Sequence, residues 1–194
     1  MGHRRDHEWL ETFEGEGADR YAEHARWMKG MHARTARRIA DALPRGGRHV
    51  DVGTGPGALP AAVASLRPDA DVTGVDPSQR MIELATGRLG AASEHRHVVV
   101  GDSAHLPMPD ASVDVVTAVL TIHHWPDLEA GVAEMARVLA PGGTVLVVEM
   151  RGPSRHVARA LRQAGLVVVR RNAWVIGLPM LVRLSGRRPA PAGR

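Results

Sequence analysis

Three glycines and an aspartate form the most informative cluster in the chain. Gly53, Gly55 and Gly57 stand at alternate positions, and Asp51 lies two residues before the first of them. Glycine lets the backbone turn tightly and lets a ligand approach without a Cβ in the way. A helical pattern follows, so the free N–H groups at the helix start would lie beside the loop. Such a loop can hold an anion or a carboxylate, although a bare tight turn would use the same glycines.

The glycine spacing separates this loop from two other ligand-binding loops. A dinucleotide fingerprint reads G-x-G-x-x-G, whereas residues 53–57 read G-x-G-x-G. No glycine–lysine–serine/threonine sequence is present, which excludes a phosphate loop of the Walker type.

Two further aspartates follow the next two predicted strands. In open α/β sheets, ligands bind at the carboxyl ends of strands. Asp76 lies 21 residues beyond Gly55 and could accept hydrogen bonds from both hydroxyls of a ribose placed over the loop. Asp102, within Gly101-Asp102-Ser103, could accept from the exocyclic amine of an adenine. Asp76 could instead cap a helix before Pro77, and Asp102 could serve only in a turn.

The elements that must position these residues alternate between apolar strands and amphipathic helices. Nearly all-apolar strands predict a parallel sheet with helices on both faces. The expected strands are 49–52, 71–75, 97–100, 113–120, 144–148, 166–169 and 174–184; the expected helices are 18–43, 59–66, 78–89, 128–139 and 154–164, the last with Ser154 as its N-cap. A short turn near Asn172 would join the last two strands as an antiparallel hairpin.

Several motifs together resemble the class I S-adenosylmethionine-dependent methyltransferases, in particular the group that includes ubiquinone/menaquinone-pathway and natural-product methyltransferases. They are residues 51–57, Val75-Asp76, Gly101-Asp102, Leu106-Pro107, His123-His124-Trp125 and Arg137–Gly143. The resemblance implies a Rossmann-like fold with a seven-stranded, mostly parallel sheet of order 3-2-1-4-5-7-6 and strand 7 antiparallel. It also implies S-adenosylmethionine as cofactor and S-adenosylhomocysteine as product.

The resemblance assigns cofactor contacts to particular side chains and backbone groups. Asp51 and the Gly53–Gly55 backbone would face the methionine part, Asp76 the ribose, and Asp102 the adenine. The full set of expected cofactor-binding residues is Asp51, Gly53, Thr54, Gly55, Asp76, Pro77, Met81, Gly101, Asp102, Ser103, Val119 and Leu120.

Two histidines follow the fourth strand, where a methyl acceptor would lie. Histidine titrates near neutrality, so His123 or His124 could remove a proton from a weakly acidic acceptor. Glu149 could orient one imidazole or act as the base itself. The His-His-Trp sequence could also merely close a turn. Adjacent side chains diverge, so a metal site is not expected.

The amino-terminal helix is expected to cover the acceptor. Its methionine and aromatic side chains could adapt to an irregular apolar ligand, or could simply pack on the sheet. The expected substrate-binding residues are Tyr21, Trp27, Met31 and His123. Only about four residues separate Met150 from the next helix, so any cap there is minimal. That arrangement would fit a small or exposed acceptor, or a large substrate that lies outside the pocket. It would also fit a homodimer in which the second subunit completes the pocket.

Composition limits the remaining choices. The chain has 194 residues, and it has no cysteine to form disulfides or thiolate metal sites. Residues 151–194 hold ten arginines and no acid, so the rest carries 15 basic and 21 acidic residues. We expect one domain: a lid over 1–43, a methyltransferase core over 44–186 and a basic tail over 187–194. No run reaches the roughly 18–20 apolar residues of a membrane span. We expect the protein to be bacterial and cytoplasmic.

Three other functions compete with small-molecule methylation. The arginine-rich end favours a nucleic-acid methyltransferase, but aromatic residues for base stacking make up only 3%. A cofactor-binding homologue that transfers no methyl would keep the same motifs. A nicotinamide oxidoreductase would share the first strand, loop and Asp76, but the glycine spacing disfavours it.

Overall fold

The structure is a computed structural model that describes residues 28–90, 94–172 and 181–190. Its strands are β1 (Arg48–Val52), β2 (Asp71–Asp76), β3 (Arg96–Val100), β4 (Val113–Val119), β5 (Leu139–Met150), β6 (Val167–Asn172) and β7 (Leu181–Arg187). Its helices are α1 (Lys29–Ala42), α2 (Ala58–Leu66), α3 (Gln79–Leu89), α4 (Leu128–Val138) and α5 (Ser154–Gln163), with a 3₁₀ turn at Ile122–His124.

The seven strands form one sheet in the order β3-β2-β1-β4-β5-β7-β6. The first five pair in parallel, whereas β7 is antiparallel to both β5 and β6. This arrangement confirms the expected fold class and sheet order. It brings the carboxyl ends of β1, β2, β3 and β4 to one edge, as parallel strands must.

The core lies on both faces of the central strands. One cluster joins β4, β5 and β7 to α4 and α5, with Met135, Leu139 and Leu161 fully buried. A second joins β1 and β2 to α1 and α2, around Ile39 and Val63. The strands at the centre are buried on both sides, which explains their nearly continuous apolar sequences.

Three expectations about element ends need correction. Strand β5 begins at Leu139, because Leu139 pairs with Val113 before a register shift brings Thr144 opposite Val115. Strand β6 runs through Asn172, which pairs with Val182, so the connection to β7 lies within 173–180 and not at Asn172.

The third correction concerns the start of α5. Ser154 is the first helical residue and Pro153 stands at the N-cap position. The Ser154 hydroxyl donates to the carbonyl of Arg151, so it does not cap the helix.

Some expectations lie outside the described residues. These are the part of the amino-terminal helix before residue 28, with Tyr21 and Trp27, and most of the last expected strand. Within the described ranges, no helix is long and apolar enough to cross a membrane. In the same ranges, no group of three or more histidine, aspartate or glutamate side chains could hold a metal ion.

Candidate active site

A cavity of about 830 Å³ opens where the carboxyl ends of β1 to β4 meet. The loops after these strands form its floor and α1 covers one side. Among the described residues, its wall consists of Met28, Lys29, His32, Ala33, Val52–Pro56, Ala58, Ala62, Asp76–Ser78, Met81, Arg88, Gly101–His105, Val119–Thr121 and His124–Asp127.

The glycine loop is held against β2. The N–H groups of Gly53 and Thr54 both donate to the carbonyl of Val75, at 2.8 and 3.0 Å. Gly53 has a φ of 69°, a conformation that favours glycine. A Cβ built on Gly53 would lie 1.9 Å from Oγ1 of Thr121. Glycine is therefore needed here both for the turn and for the close approach of the segment after β4.

Asp76 binds the glycine loop and the backbone just before α3. Its Oδ2 accepts from Gly55 N at 2.8 Å, and its Oδ1 accepts from Ser78 N at 3.0 Å. Ser78 in turn caps α3 by accepting from Met81 N. The N-cap of α3 is therefore Ser78, and the alternative that Asp76 caps this helix is wrong. Each oxygen of the Asp76 carboxylate can still accept a further hydrogen bond from a ligand.

Asp102 lies at the exposed rim of the same cavity. Its Oδ1 accepts from Ala104 N at 2.6 Å, and its side chain is 57% exposed. The neighbouring Ser103 is buried and also lines the cavity. The segment after β3 thus presents one exposed carboxylate and one sheltered hydroxyl.

Asp51 lies behind the glycine loop. It is 3% exposed and accepts from Thr117 Oγ1 at 2.6 Å and from Thr54 Oγ1 at 2.9 Å. Burial raises its pKa from 3.8 to about 6. Asp51 is not among the described residues that line the cavity, so its contact with the loop passes through Thr54.

The network behind the loop continues to a histidine. His49 is fully buried, and its Nε2 lies 2.9 Å from Thr117 Oγ1. Because that hydroxyl donates to Asp51, it accepts from His49, which places the proton on Nε2. Burial lowers the pKa of His49 to about 3, so the ring is neutral.

The two adjacent histidines have separate surroundings. His123 Nδ1 lies 3.0 and 3.1 Å from the two carboxylate oxygens of Glu149, which is fully buried. His124 lines the cavity, whereas His123 and Glu149 are not among the described residues that do so. The two rings are in contact, with their centroids 4.0 Å apart. Burial, followed by the proximity of His123, lowers the pKa of His124.

Helix α1 contributes one wall of the cavity. Met28, Lys29, His32 and Ala33 face it. Met31 instead is 4% exposed, is not among the described residues of the cavity wall, and packs in one buried cluster with Met28, Val148 and Leu181. Met28 thus belongs both to the wall and to this cluster, whereas Met31, which the sequence suggested for substrate binding, belongs to the cluster alone.

Sequence reasoning did not single out several residues of the wall. They are Lys29, His32, Ala33, Ala58, Ala62, Arg88, His105, Thr121 and Asp127, among others. The available signal was helical spacing, such as Ala58 and Ala62 four positions apart on α2. That spacing looks the same for a helix face that lines a cavity and for one that faces solvent.

Comparisons with known proteins agree with the fold. A family model described as methyltransferase domain matches residues 50–147. Demethylmenaquinone methyltransferase of Deinococcus radiodurans is 36% identical over 116 residues, which cover 59% of this chain and 48% of that protein. The ubiquinone/menaquinone biosynthesis C-methyltransferase of Rubrivivax gelatinosus is 34% identical over 155 residues, covering 77% of this chain and 59% of that protein. This chain thus spans about half the length of the curated relatives that it matches.

A solved structure shares the architecture at lower identity. The 4+2 cyclase structure superposes with a TM-score of 0.69 at 20% identity, covering 81% of this chain and 82% of that chain. Likeness at this level concerns the fold alone.

Proposed function

The chain belongs to the methyltransferase domain family, and we propose that it transfers a methyl group from S-adenosylmethionine to a small molecule. The main support is the convergence of residues that are far apart in the sequence. Gly53–Gly55, Asp76, Asp102 and Leu120 follow four different strands and line one cavity. These are positions where the family resemblance expects the cofactor.

The chemistry of the cavity wall suits an adenosine with an attached amino acid. Asp76 is 8% exposed and presents a carboxylate beside a glycine loop, which suits two vicinal hydroxyls. Met81 lies on the wall near it and offers an apolar surface to a planar ring. The absence of a Cβ at Gly53 keeps the loop close to Thr121, and both residues line the cavity.

The reaction needs alignment, water exclusion and, for some acceptors, a base. When bound, S-adenosylmethionine supplies a methyl group on a sulfonium sulfur. Val119, Leu120 and Trp125 line the cavity with apolar surface and would keep water from the reacting atoms.

We assign the base to His124, which is the histidine on the cavity wall. Its lowered pKa keeps the ring neutral at pH 7, so it can accept a proton from the acceptor. His123 is a positioning residue, because Glu149 fixes its ring and His124 packs against that ring.

A small organic acceptor fits the comparisons better than a nucleic acid. The curated relatives above are named for demethylmenaquinone and for ubiquinone/menaquinone biosynthesis. Both come from bacteria, which supports a bacterial source for this chain. We also propose that the protein is cytoplasmic and that it forms a homodimer.

Calorimetric titration with S-adenosylmethionine and S-adenosylhomocysteine tests the cofactor. We expect micromolar binding by the wild-type protein, lost in Asp76→Ala and kept in the matched control Asp41→Ala. Asp41 is exposed and lies outside the cavity wall. Absence of binding by folded wild-type protein would contradict the proposal.

A second assay tests transfer itself. The protein is incubated with S-adenosylmethionine and a panel of hydroquinones and phenols, and S-adenosylhomocysteine is measured. We expect product formation with at least one acceptor and a large loss in His124→Ala. Tight cofactor binding without product from any acceptor would instead favour a homologue that transfers no methyl.

A further inference from the structure

One end of the cavity has no role in the cofactor contacts described above. It is formed by Lys29, His32 and Ala33 of α1, Ala58 and Ala62 of α2, and Arg88 of α3, and we call it the α1–α3 end. The expected cofactor residues lie instead on the glycine loop and after β2, β3 and β4. The α1–α3 end is therefore open to a second ligand.

The charge of the α1–α3 end differs from that of the rest of the cavity. Its ionisable side chains are Lys29, His32 and Arg88, whereas the remaining wall carries the carboxylates of Asp76, Asp102 and Asp127 and the imidazoles of His105 and His124. Neither Lys29 nor Arg88 forms an ion pair with any residue in the described ranges.

His32 is close enough to Arg88 to respond to its charge. Burial, followed by the charge of Arg88, lowers the pKa of His32 to about 4. At neutral pH, His32 is thus an uncharged polar group beside two cations. Two cations that face one cavity with no counter-ion among the described side chains favour a ligand that brings its own negative charge.

The surface between these groups is small and apolar. Ala33, Ala58 and Ala62 leave room at this end, because none has atoms beyond Cβ. An apolar ligand body could lie on these alanines while an anionic group reached Lys29 and Arg88 at the exposed rim.

We propose that the α1–α3 end binds the methyl acceptor and that the acceptor is an apolar molecule carrying a carboxylate or phosphate. Lys29 and Arg88 hold the anionic group, and Ala33, Ala58 and Ala62 contact the apolar part. This inference rests on the proposed function for the identity of the second ligand.

Two fluorescent probes with the same aromatic body test the site. One is 8-anilino-1-naphthalenesulfonate, an anion, and the other is N-phenyl-1-naphthylamine, which is neutral. Each is titrated into the protein with and without saturating S-adenosylhomocysteine. The variants are Lys29→Gln, Arg88→Gln and the double variant, and Arg159→Gln, at an exposed position on α5, is the control for loss of one positive charge.

We expect each single variant to weaken binding of the anionic probe about threefold and the double variant about tenfold, because exposed charge pairs contribute little individually. Binding of the neutral probe, binding by Arg159→Gln and the melting temperature should not change. The effect on the anionic probe should persist with S-adenosylhomocysteine bound and should shrink as salt is raised.

Two results would overturn the inference. The first is equal binding of the anionic probe by wild type and double variant. The second is that the variants weaken S-adenosylhomocysteine but not 5′-methylthioadenosine, which lacks the amino-acid carboxylate; the two cations would then serve the cofactor. Failure of S-adenosylhomocysteine to bind wild-type protein would count against the proposed function alone, since the probes are also titrated without it.

Discussion

At the scale of single residues, breaking the contact between His123 and Glu149 should lower the free energy of unfolding. Glu149 is fully buried, and its described partners are His123 Nδ1 and its own neighbour, Met150 N. Replacing His123 by alanine leaves the carboxylate with one backbone donor. We expect His123→Ala to lower the free energy of unfolding by about 1–3 kcal/mol. Urea denaturation at pH 7 measures it.

A double-mutant cycle separates the energy of this contact from the energy lost simply by removing the imidazole ring. In a Glu149→Gln background, His123→Ala should cost less, because a neutral amide is cheaper to leave unpaired than a carboxylate. His124→Ala, which removes the same ring from the next position, should leave Glu149 paired. Equal costs of His123→Ala in both backgrounds would contradict the assigned contact.

Two buried groups in the network behind the glycine loop change the free energy of unfolding in opposite directions as the pH falls. Burial lowers the pKa of His49 from 6.5 to about 3. As the pH falls below 6.5, the unfolded chain gains a proton that folded His49 does not, so stability is lost. Burial raises the pKa of Asp51 from 3.8 to about 6. Below pH 6, folded Asp51 gains a proton first, so stability is recovered.

His49→Gln should remove the first effect and keep the second. We therefore expect the difference in unfolding free energy between wild type and His49→Gln to be largest above pH 6.5 and to shrink towards pH 5. Other titrating groups, including His32, are common to both proteins and cancel in the difference. Chemical denaturation at pH 7.5 and pH 5 measures it, and a difference independent of pH would show that His49 does not titrate as its burial requires.

At the scale of elements, the close contact between the glycine loop and the segment after β4 gives a prediction about Gly53. Gly53→Ala must accommodate both a positive φ and a Cβ close to Thr121. Gly46→Ala is the matched control, since Gly46 has a φ of 65° but no atom lies within 4 Å of an added Cβ. We expect about 1–2 kcal/mol of destabilisation for Gly46→Ala and more for Gly53→Ala.

Only Gly53→Ala should also abolish binding of S-adenosylhomocysteine, because only that variant displaces the loop from Thr121. Calorimetry on both variants decides the point. If both variants bound S-adenosylhomocysteine with similar affinity, the loop would be able to accommodate a Cβ at Gly53 and still bind its ligand.

Arg137 ties the segment after β3 to α4. Its guanidinium donates to both carboxylate oxygens of Glu134 and to Asp110, and also to the carbonyls of Leu106 and Met108. Lysine cannot reproduce this planar set of donors. We expect Arg137→Lys to cost about 1–2 kcal/mol and to weaken cofactor binding, because Asp102 lies at the start of this segment. Arg162→Lys on α5 is the control, and an equal loss there would refute the role of the planar donors.

The sequence predicted the elements whose signals are local. The glycine loop, the apolar strands and Asp76 after β2 were identified from residue types and short spacings. The early start of β5 was missed because Pro141, Gly142 and Gly143 are typical turn residues. Only the pairing of Leu139 with Val113 extends the strand across them, and that pairing depends on a residue 26 positions away.

The cavity wall was harder to predict than the glycine loop for the same reason. Lys29 and Arg88 are 59 positions apart and line one cavity because α2 packs against both α1 and α3. Likewise, nothing local distinguishes Met28, which reaches the wall, from Met31, which lies only in the buried cluster that the two methionines share. Placement of such residues depends on how helices pack against one another, which helical spacing alone does not encode.

At the scale of the whole molecule, the arginine-rich part of the chain lies away from the cavity. Nine of the ten arginines of 151–194 are among the described residues, in the part of the chain that forms α5, β6 and β7 at one edge of the sheet. None of the residues described in that part lines the cavity. The cavity instead lies at the carboxyl ends of the strands toward the opposite edge.

This separation predicts how the protein should treat RNA. The arginine-rich edge should bind RNA only through phosphate charge, so affinity should fall steeply between about 50 and 200 mM salt. Saturation with S-adenosylhomocysteine should not change RNA affinity, because the two ligands use different edges of the sheet. Filter binding across that salt range, with and without S-adenosylhomocysteine, measures both effects. RNA binding that resists salt and depends on S-adenosylhomocysteine would instead connect the arginine-rich edge to the cavity and would restore the nucleic-acid methyltransferase as the favoured function.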